Sequence, residues 1–491
     1  MTFAEVLLPL PIAGTFSYAV PQALAARVRP GHRVIVPFGQ RKFYTGIVVS
    51  LGPQPPEGGF EVKEIVSTLD DEPIVRRPQL QLWDWVADYY LCSPGDVLRA
   101  ALPAALKVES ETFIEFNPDF EPDSAELSER ETVILQVLSH EAKRMRVSEI
   151  EKATGFTGVG AIATAMLEKG AVIISEKMVE RYTSRTVTYV RLTVERGDNE
   201  ALREAFSKIS MASQVRQQQA FQALVSMSGF MQRGSELREV TQDELLERTG
   251  LTRPVLKQLA DKGLIEFYKR AVNRFRFRGL VTGALPQLSQ AQDEALKAIH
   301  RSWLEKDVTL LHGVTSSGKT EIYIHLIDFV LRQGRQALML VPEIALTTQL
   351  TVRLQRVFGD KVVIYHSKFS DNERVDIYRK ILASREPMVV IGARSAIFLP
   401  FASLGLVIVD EEHESSYKQQ DPAPRYNGRD TAMVLARMHG AKTLLGSATP
   451  AVDTYYKAKS GRFGLVTLGQ RYSGIDLPEM RLVDATKARR K

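Results

Sequence analysis

Two short stretches hold residue types that could act on a phosphate group, and they come in the order such chemistry uses. Gly313-Val314-Thr315-Ser316-Ser317-Gly318-Lys319-Thr320 fits the pattern G-x-x-x-x-G-K-[ST]. In that pattern a glycine-rich turn aims successive backbone N–H groups at a β-phosphate and sets it at a helix N-terminus. Lys319 would reach the β- and γ-phosphates and Thr320 would hold Mg²⁺, with Gly313 and Gly318 shaping the turn. Farther along, Asp410-Glu411-Glu412-His413 ends the apolar run Leu404 to Val409. Hydrolysis needs one carboxylate near the metal and another to orient or deprotonate the attacking water, and adjacent acidic residues supply both. Asp410 is expected to be the metal residue and Glu411 the base, with His413 next to the nucleotide. On its own an Asp-Glu-Glu run reads as a solvated turn. The strand before it and the phosphate loop upstream favour the catalytic reading, that of an ATP-driven motor.

Both motifs need a scaffold that delivers them to one edge. Val308 to Leu311 reads as a short strand and Glu321 to Leu331 as a helix, so the phosphate loop sits in a strand-turn-helix. Leu406-Val407-Ile408-Val409 reads as a strand buried on both faces of a parallel sheet, whose carboxyl end is where nucleotides bind. From about Leu285 onward, apolar strands alternate with amphipathic helices, as in a doubly wound α/β domain.

The remainder of the chain has other textures. At 491 residues it is too long for one core. Up to about Lys107 it reads as a small β-rich, barrel-like domain, with strands at Arg33 to Gly39 and Tyr44 to Val49 and a helix near Leu80 to Tyr90. Asn117 to Ser128 reads as a linker. An internal repeat follows: Val147 to Gly155 leads to Ala165 to Val172, and Val240 to Gly250 leads to Lys257 to Ile265. Each copy is a helix, a Thr-Gly turn, a second helix ending in Lys-Gly, and a strand, which is the pattern of a winged helix-turn-helix in tandem. Such modules bind DNA or serve as protein-contact spacers, and the pattern leaves both open. The expected boundaries are 1–108 for the β-rich domain, 109–128 for the linker, 129–198 and 199–280 for the two winged helices, and 281–491 for the motor lobe.

Hydrophobic content of 44% and charged content of 25% are those of ordinary globular protein. No apolar stretch is long enough to span a bilayer and Met1 to Glu5 lacks a signal-peptide layout, so a cytoplasmic protein with no membrane partner is expected. The single cysteine, Cys92, excludes a disulfide or a cysteine-built zinc site within these residues, and it is expected to be a buried thiol beside Tyr89 and Tyr90. The net charge of +6 permits a nucleic-acid partner without demanding one. Lys269, Arg270, Arg274, Arg276 and Arg278 interleave with Phe267, Tyr268, Phe275 and Phe277, which suits phosphates and unstacked bases. A solvated amphipathic strand explains the same alternation.

Further segments extend the reading: Leu288-Ser289-Gln290-Ala291-Gln292, Val341-Pro342-Glu343-Ile344-Ala345-Leu346-Thr347, His366-Ser367, Ile391 to Phe398, Tyr417-Lys418-Gln419-Gln420 with Arg425-Tyr426, and Gly446-Ser447-Ala448-Thr449-Pro450. With these the chain resembles the superfamily two DNA helicases of the DExH type, and within them the primosomal replication-restart helicases. The resemblance implies a RecA-like first motor lobe using ATP and Mg²⁺, in which Gln292 recognises adenine and Ser447 and Thr449 couple ATP state to DNA grip. It places Glu343 and Arg394 along a single-strand path, a helix-capping role being the alternative for Glu343. It makes Tyr417, Lys418, Arg425 and Tyr426 part of an aromatic-rich loop that senses DNA. Leu8 to Tyr18 and Val36 to Gly39 resemble a pocket for a nascent-strand 3′ end, with Phe16, Ser17, Gly39 and Lys63 as its residues. Members often carry an acidic residue where this chain has Ser17, and a hydroxyl is the weaker acceptor for a terminal 3′-OH.

The function that the resemblance implies is an ATP-dependent 3′-to-5′ helicase acting on forked and single-stranded DNA to restart replication, with single-strand-binding protein and other primosome proteins as partners. The family continues into a second motor lobe, a cysteine-rich zinc module and an arginine finger, none of which precedes Lys491. The residues given are therefore expected to be a piece of a longer protein that binds nucleotide and DNA but hydrolyses slowly. A fork-binding scaffold with little turnover and a double-strand translocase are the competing expectations.

Overall fold

The computed structural model describes residues 2–39, 42–54, 62–107, 109–120, 127–141, 144–179, 186–232, 237–271, 281–343 and 348–470. Its largest element is a seven-stranded sheet in the order Val362–Tyr365, Val389–Gly392, Gln336–Leu340, Leu404–Asp410, Lys442–Ser447, Val308–Gly313 and Gly464–Leu468. Every pairing in it is parallel. Gln336–Leu340 and Val389–Gly392 are buried at every residue and Leu404–Asp410 at all but the last, as strands covered on both faces must be. Helices Gln290–Glu305 and Lys319–Arg332 bury Ile299, Trp303, Ile322, Leu326 and Ile327 in the core beside Leu311, Met339 and Ile408. This is the RecA-like α/β lobe expected from Leu285 onward.

The first strands close a small barrel. The order is Phe16–Val20, Thr2–Leu7, Lys42–Gly52, Arg33–Phe38 and Ser67–Thr68. The segment before that last strand seals the cylinder: Ala19 and Ile65 exchange backbone bonds with Lys63 and Ala19, while the Val66 N–H reaches the Ile35 carbonyl at 2.9 Å. Alternate residues Ala4, Val6 and Leu8 point into its core with Val34, Val36 and Val48, a period-2 pattern. Helix Arg77–Tyr89 then leaves the barrel and docks on the motor lobe. The Gln79 amide donates to the Phe398 carbonyl at 2.8 Å and the Arg76 guanidinium to the carbonyls of Leu382 and Pro400 at 2.7 and 3.1 Å. The Tyr378 hydroxyl returns a bond to the Ile74 carbonyl at 2.9 Å. Cys92 next to this helix is half-buried, and burial pushes its thiol up.

The winged-helix repeat is present, with two corrections to its boundaries. Glu109–Phe116, within the expected linker, is a strand paired along its length with Val172–Val179. It closes the first module over helices Glu129–Glu141, Val147–Thr154 and Val159–Glu168, around Ile114, Ile134, Ile150 and Met166. Thr186–Leu192, expected in the first module, pairs instead with Ile265–Ala271 of the second, and Thr183–Arg276 is a compact unit by itself. Both misplaced strands pair with a partner more than 55 residues away, which no local spacing reports. In both copies the turn threonine is built alike: Thr154 and Thr249 each donate to a carbonyl four residues back at 2.7 Å.

Of the basic and aromatic cluster near residue 270, Arg274, Phe275, Arg276, Phe277 and Arg278 lie outside the described residues, as does the side chain of Arg270. Among the rest, Phe267 packs against the module core. Tyr268 stacks on Tyr189 at 5.5 Å, with the Arg191 guanidinium 5.4 Å from its ring centre.

Candidate functional site: the carboxyl edge of the motor sheet

Parallel pairing brings the ends of three strands side by side. His312 pairs with Ser447 and Asp410 with Gly446, so the phosphate loop, the acidic run and the Ser-Ala-Thr segment share one edge. Gly318 opens the helix Lys319–Arg332 at φ +80°, and a Cβ there would lie 2.2 Å from the Gln292 amide nitrogen. Only glycine fits that backbone.

The Lys319 ammonium donates to the Gly313 carbonyl at 3.2 Å and lies 3.6 Å from a Glu411 oxygen. Thr320, the next residue, is half-buried at the start of the helix. Asp410 is half-buried at the end of its strand. Burial pushes its carboxyl up, the neighbouring Glu411 adds to this, and the Tyr323 hydroxyl and Lys319 oppose it. The Tyr323 hydroxyl donates to Asp410 at 2.8 Å from full burial. Gly446 makes room for it, since a Cβ there would sit 1.8 Å from that hydroxyl oxygen. Glu411 adopts φ +46°, an uncommon conformation for a non-glycine residue, and it turns its carboxylate toward Lys319. Such local strain persists where surrounding structure over-determines it.

From Glu411 the polar contacts run on. His413 Nδ1 lies 3.7 Å from Glu411 and 2.8 Å from the Ser447 hydroxyl, and Thr449 meets the other ring nitrogen at 3.4 Å. The Thr449 N–H donates to Ser447 at 3.0 Å. Ser447 is buried and Thr449 exposed. Lys319, Thr320, Asp410, Glu411, His413, Ser447 and Thr449 are thus together, with Gly313 and Gly318 beneath them. Oxygen donors of the kind that Thr320 and Asp410 offer are the hard ligands that Mg²⁺ takes, generally with substrate phosphates completing its shell. Among the described residues no cluster of three or more His, Cys, Asp or Glu could hold a metal unaided.

Gln292 is 1% exposed. Its amide oxygen accepts from the Ser289 N–H at 2.8 Å, and its nitrogen donates to the carbonyls of Ser317 and Gly318, both at 3.2 Å. Both ends of the amide brace the phosphate loop, so an adenine contact would have to exchange one of these bonds.

Two aromatic residues differ from expectation. Tyr417 and Tyr426, expected to sense DNA as part of the aromatic-rich loop, are each 2% exposed. The Tyr417 hydroxyl donates to the Asp410 carbonyl at 2.6 Å, and the Tyr426 ring meets Phe398 edge-on at 5.1 Å. They anchor the loop from inside, because a phenol with a buried partner gains both area and a hydrogen bond. Arg394 likewise points inward, donating to the carbonyls of Ser416 and Lys418 at 2.9 and 3.2 Å. The loop's outer face carries Arg425, exposed at φ +53° and paired with Asp421 at 2.8 Å. Lys418 donates to the Arg425 carbonyl and lies 5.3 Å from the ring centre of Tyr90, next to the docking helix. Glu343 is exposed, whereas residues 344–347 beyond it lie outside the described residues.

Sequence reasoning passed over Glu412 and Arg429. The Glu412 side chain is fully buried and accepts from Arg429 and Thr454 at 2.9 Å each and from the Ala451 N–H at 2.7 Å. Arg429 also binds Asp430 and Asp453 at 2.9 and 3.3 Å. One buried ion pair thereby ties the acidic run to the aromatic-rich loop and to the helix Val452–Lys459 that follows the Ser-Ala-Thr segment. The only sequence signal was an acidic residue in a run already assigned to catalysis.

A second concavity belongs to the barrel. A cavity of about 310 Å³ is lined by Thr15, Phe16, Ser17, Tyr18, Pro37, Phe38, Gly39, Val62 and Lys63. All four residues expected of a 3′-end pocket are in it. Phe16 meets Phe38 edge-on at 5.1 Å, and the Lys63 ammonium donates to the Gly39 carbonyl. The Tyr18 hydroxyl donates to Pro37 at 3.0 Å, and burial pushes its phenol up to about 12.

Comparison with known proteins agrees with this layout. Residues 5–103 match a 3′ DNA-binding domain, 111–177 a winged helix domain, 187–272 the winged helix domain of PriA helicase, and 289–458 a DEAD/DEAH box helicase. The replication restart protein PriA of Bacillus subtilis is 34% identical over 497 residues, covering 99% of this chain and 58% of that protein. The chain belongs to the PriA family. PriA of Synechocystis is 31% identical over 510 residues, covering 98% of this chain and 56% of its own length. PriA of Rickettsia felis is 46% identical over 203 residues, which are 41% of this chain and 31% of that protein. The chain thus spans about half the length of the PriA proteins it matches end to end.

Proposed function

We propose that these residues are the DNA-binding and first-motor portion of an ATP-dependent 3′-to-5′ DNA helicase that recognises stalled or branched forks and starts replication again. One observation supports this most: a continuous set of contacts, running outward from the buried Tyr417, joins the acidic run to the barrel's docking helix. Tyr417 binds the backbone of Asp410, Arg394 holds the loop carrying Tyr417, and Lys418 of that loop lies over Tyr90 beside the barrel's docking helix. A change at the nucleotide then has a mechanical route to DNA, through elements with few alternative packings.

Each site residue has a part in this reading. Lys319 and the backbone after Gly313 hold the phosphates, Thr320 and Asp410 hold the Mg²⁺ that neutralises developing charge, and Glu411 orients or deprotonates the attacking water. His413, Ser447 and Thr449 report that state along the edge. Forked and single-stranded DNA are the substrates, with single-strand-binding protein and the other primosome proteins as partners, in the cytoplasm at the nucleoid. The 3′ end of a nascent strand enters the barrel pocket, with Phe16 beneath the base and Lys63 beside the phosphate.

The test is ATP hydrolysis and strand separation on a forked DNA by a protein extended through the second motor lobe, beside its Lys319→Ala variant. Hydrolysis stimulated by the fork and abolished by the substitution is the expected result. Hydrolysis indifferent to DNA would sink the proposal.

A further inference from the structure

The barrel pocket holds an acidic group that its lining does not display. Glu5 lies directly across the strand pair from Ser17, so both side chains stand on the same face. The Ser17 hydroxyl donates to one carboxylate oxygen of Glu5, and the Thr15 hydroxyl donates to the other at 2.6 Å. Among the described residues no Lys or Arg lies within ion-pair distance of Glu5. Ser17 and Thr15 both line the cavity, and Glu5, to which both donate, is not itself a lining residue.

The consequence follows from counting protons. A carboxylate only accepts, so each hydroxyl must point its single proton at Glu5. What Ser17 turns to the cavity is then an oxygen with lone pairs and no proton to give. Charge-assisted hydrogen bonds are the strong ones, and polarisation passes along a chain of them. A carboxylate-backed hydroxyl is therefore a better acceptor than serine alone, and it cannot serve as a donor.

We infer that Glu5 is a specificity-determining residue of this pocket: by holding the Ser17 proton it makes Ser17 the acceptor for a free 3′-hydroxyl at the end of a DNA strand. A terminal hydroxyl brings a proton to donate. A 3′-phosphate brings only acceptor oxygens and negative charge, which the Ser17 lone pairs and the Glu5 charge both oppose. A dideoxy end brings nothing. Glu5 acts through Ser17 and is a positioning residue, and the inference rests on the reading of the cavity as a strand-end pocket.

The test is fluorescence anisotropy of the whole chain with one oligonucleotide ending in 3′-OH, 3′-H or 3′-phosphate. The parent is expected to bind the hydroxyl end roughly tenfold more tightly than the dideoxy end, the size of one hydrogen bond to a charged group, and the phosphate end most weakly. Glu5→Gln removes the charge and replaces one of the two accepting oxygens by an N–H₂ donor, so Ser17 is no longer held to the acceptor role, and Ser17→Ala removes the acceptor; each should bring the hydroxyl and dideoxy ends to within about twofold. The double variant Glu5→Gln with Ser17→Asp puts a carboxylate at the cavity wall and should restore the preference, which also guards against a variant that merely misfolds.

Phe16→Ala separates the two levels of the argument. If it weakens all three ends alike while Glu5→Gln and Ser17→Ala keep the full hydroxyl preference, the pocket stands and the inference falls. The inference also falls if the parent binds hydroxyl and dideoxy ends equally. If Phe16→Ala changes nothing and the parent ignores its strand end, the pocket reading itself is wrong.

Discussion

The carboxyl edge of the motor sheet and the pocket of the barrel both use a carboxylate backed by a hydroxyl, and they use the pair in opposite ways. At the sheet edge the acid is the proposed working group and the hydroxyl is the support: Asp410 is half-buried at the strand end and Tyr323 holds it from a fully buried position. In the barrel the hydroxyl lines the cavity and the acid holds its proton, as Glu5 does for Ser17. The first arrangement is set in a core, so its failure should cost stability as well as function. The second rides on a sheet surface, and its failure should alter selectivity and little else.

The strongest way to sharpen this contrast is Arg429→Ala. It leaves the fully buried Glu412 carboxylate without its cation, a loss of about 3 to 5 kcal/mol for a buried pair broken on one side. Thermal unfolding should then begin roughly 10 °C lower. A shift under about 2 °C would show that the pair is not the tie described here.

Lys319→Ala comes next. It removes the ammonium that lies between Gly313 and Glu411, and calorimetric titration with ATP and Mg²⁺ should show affinity lower by about tenfold or more. Strand-end binding in the barrel should stay as it was. Affinity for ATP unchanged by the substitution would remove Lys319 from the phosphate site.

Tyr323→Phe should cost about 1 kcal/mol, the net worth of a buried hydrogen bond. It also strips Asp410 of the bond that opposes the upward push of burial, so its carboxyl should rise further. ATP affinity at a fixed Mg²⁺ concentration should therefore fall off at a higher pH than in the parent. Identical pH profiles would mean that Tyr323 supports the core without tuning Asp410.

The smallest effect concerns His439. Burial, with Arg335 and Arg76 nearby, pushes its imidazole down from 6.5 to about 4. The folded state therefore favours the neutral ring. Its contribution is present above about pH 6.5 and drains away as the pH falls from there toward 4. His439→Gln should flatten the loss of melting temperature between about pH 7 and pH 5, and an unchanged slope would assign acid lability elsewhere.

What could be read from the residues alone follows the same division. The phosphate loop and the acidic run were legible because each is contiguous, and the strand and helix that position it are its immediate neighbours. Phe16, Ser17, Gly39 and Lys63 were drawn together by resemblance, and the structure places them around one cavity. Glu5 was not visible, because its link to Ser17 depends on antiparallel register between two strands. Nor was the inward turn of Tyr417 and Tyr426. Aromatic and basic types suit DNA and suit a buried anchor equally, and only the packing separates the two. The strand Glu109–Phe116 read as linker for a similar reason, since its partner begins at Val172.

Nucleotide and DNA should be coupled through the loop from Tyr417 to Arg429. The direct test is the ATP affinity of the whole chain with and without a forked DNA bearing a 3′-OH end. Coupling requires that each ligand change the other's affinity by the same factor. We expect DNA to shift ATP affinity by about fivefold or more and ATP to shift DNA affinity equally, with both shifts lost in Tyr417→Phe. If ATP binds equally well with and without DNA, the buried contacts hold the lobe together and transmit nothing.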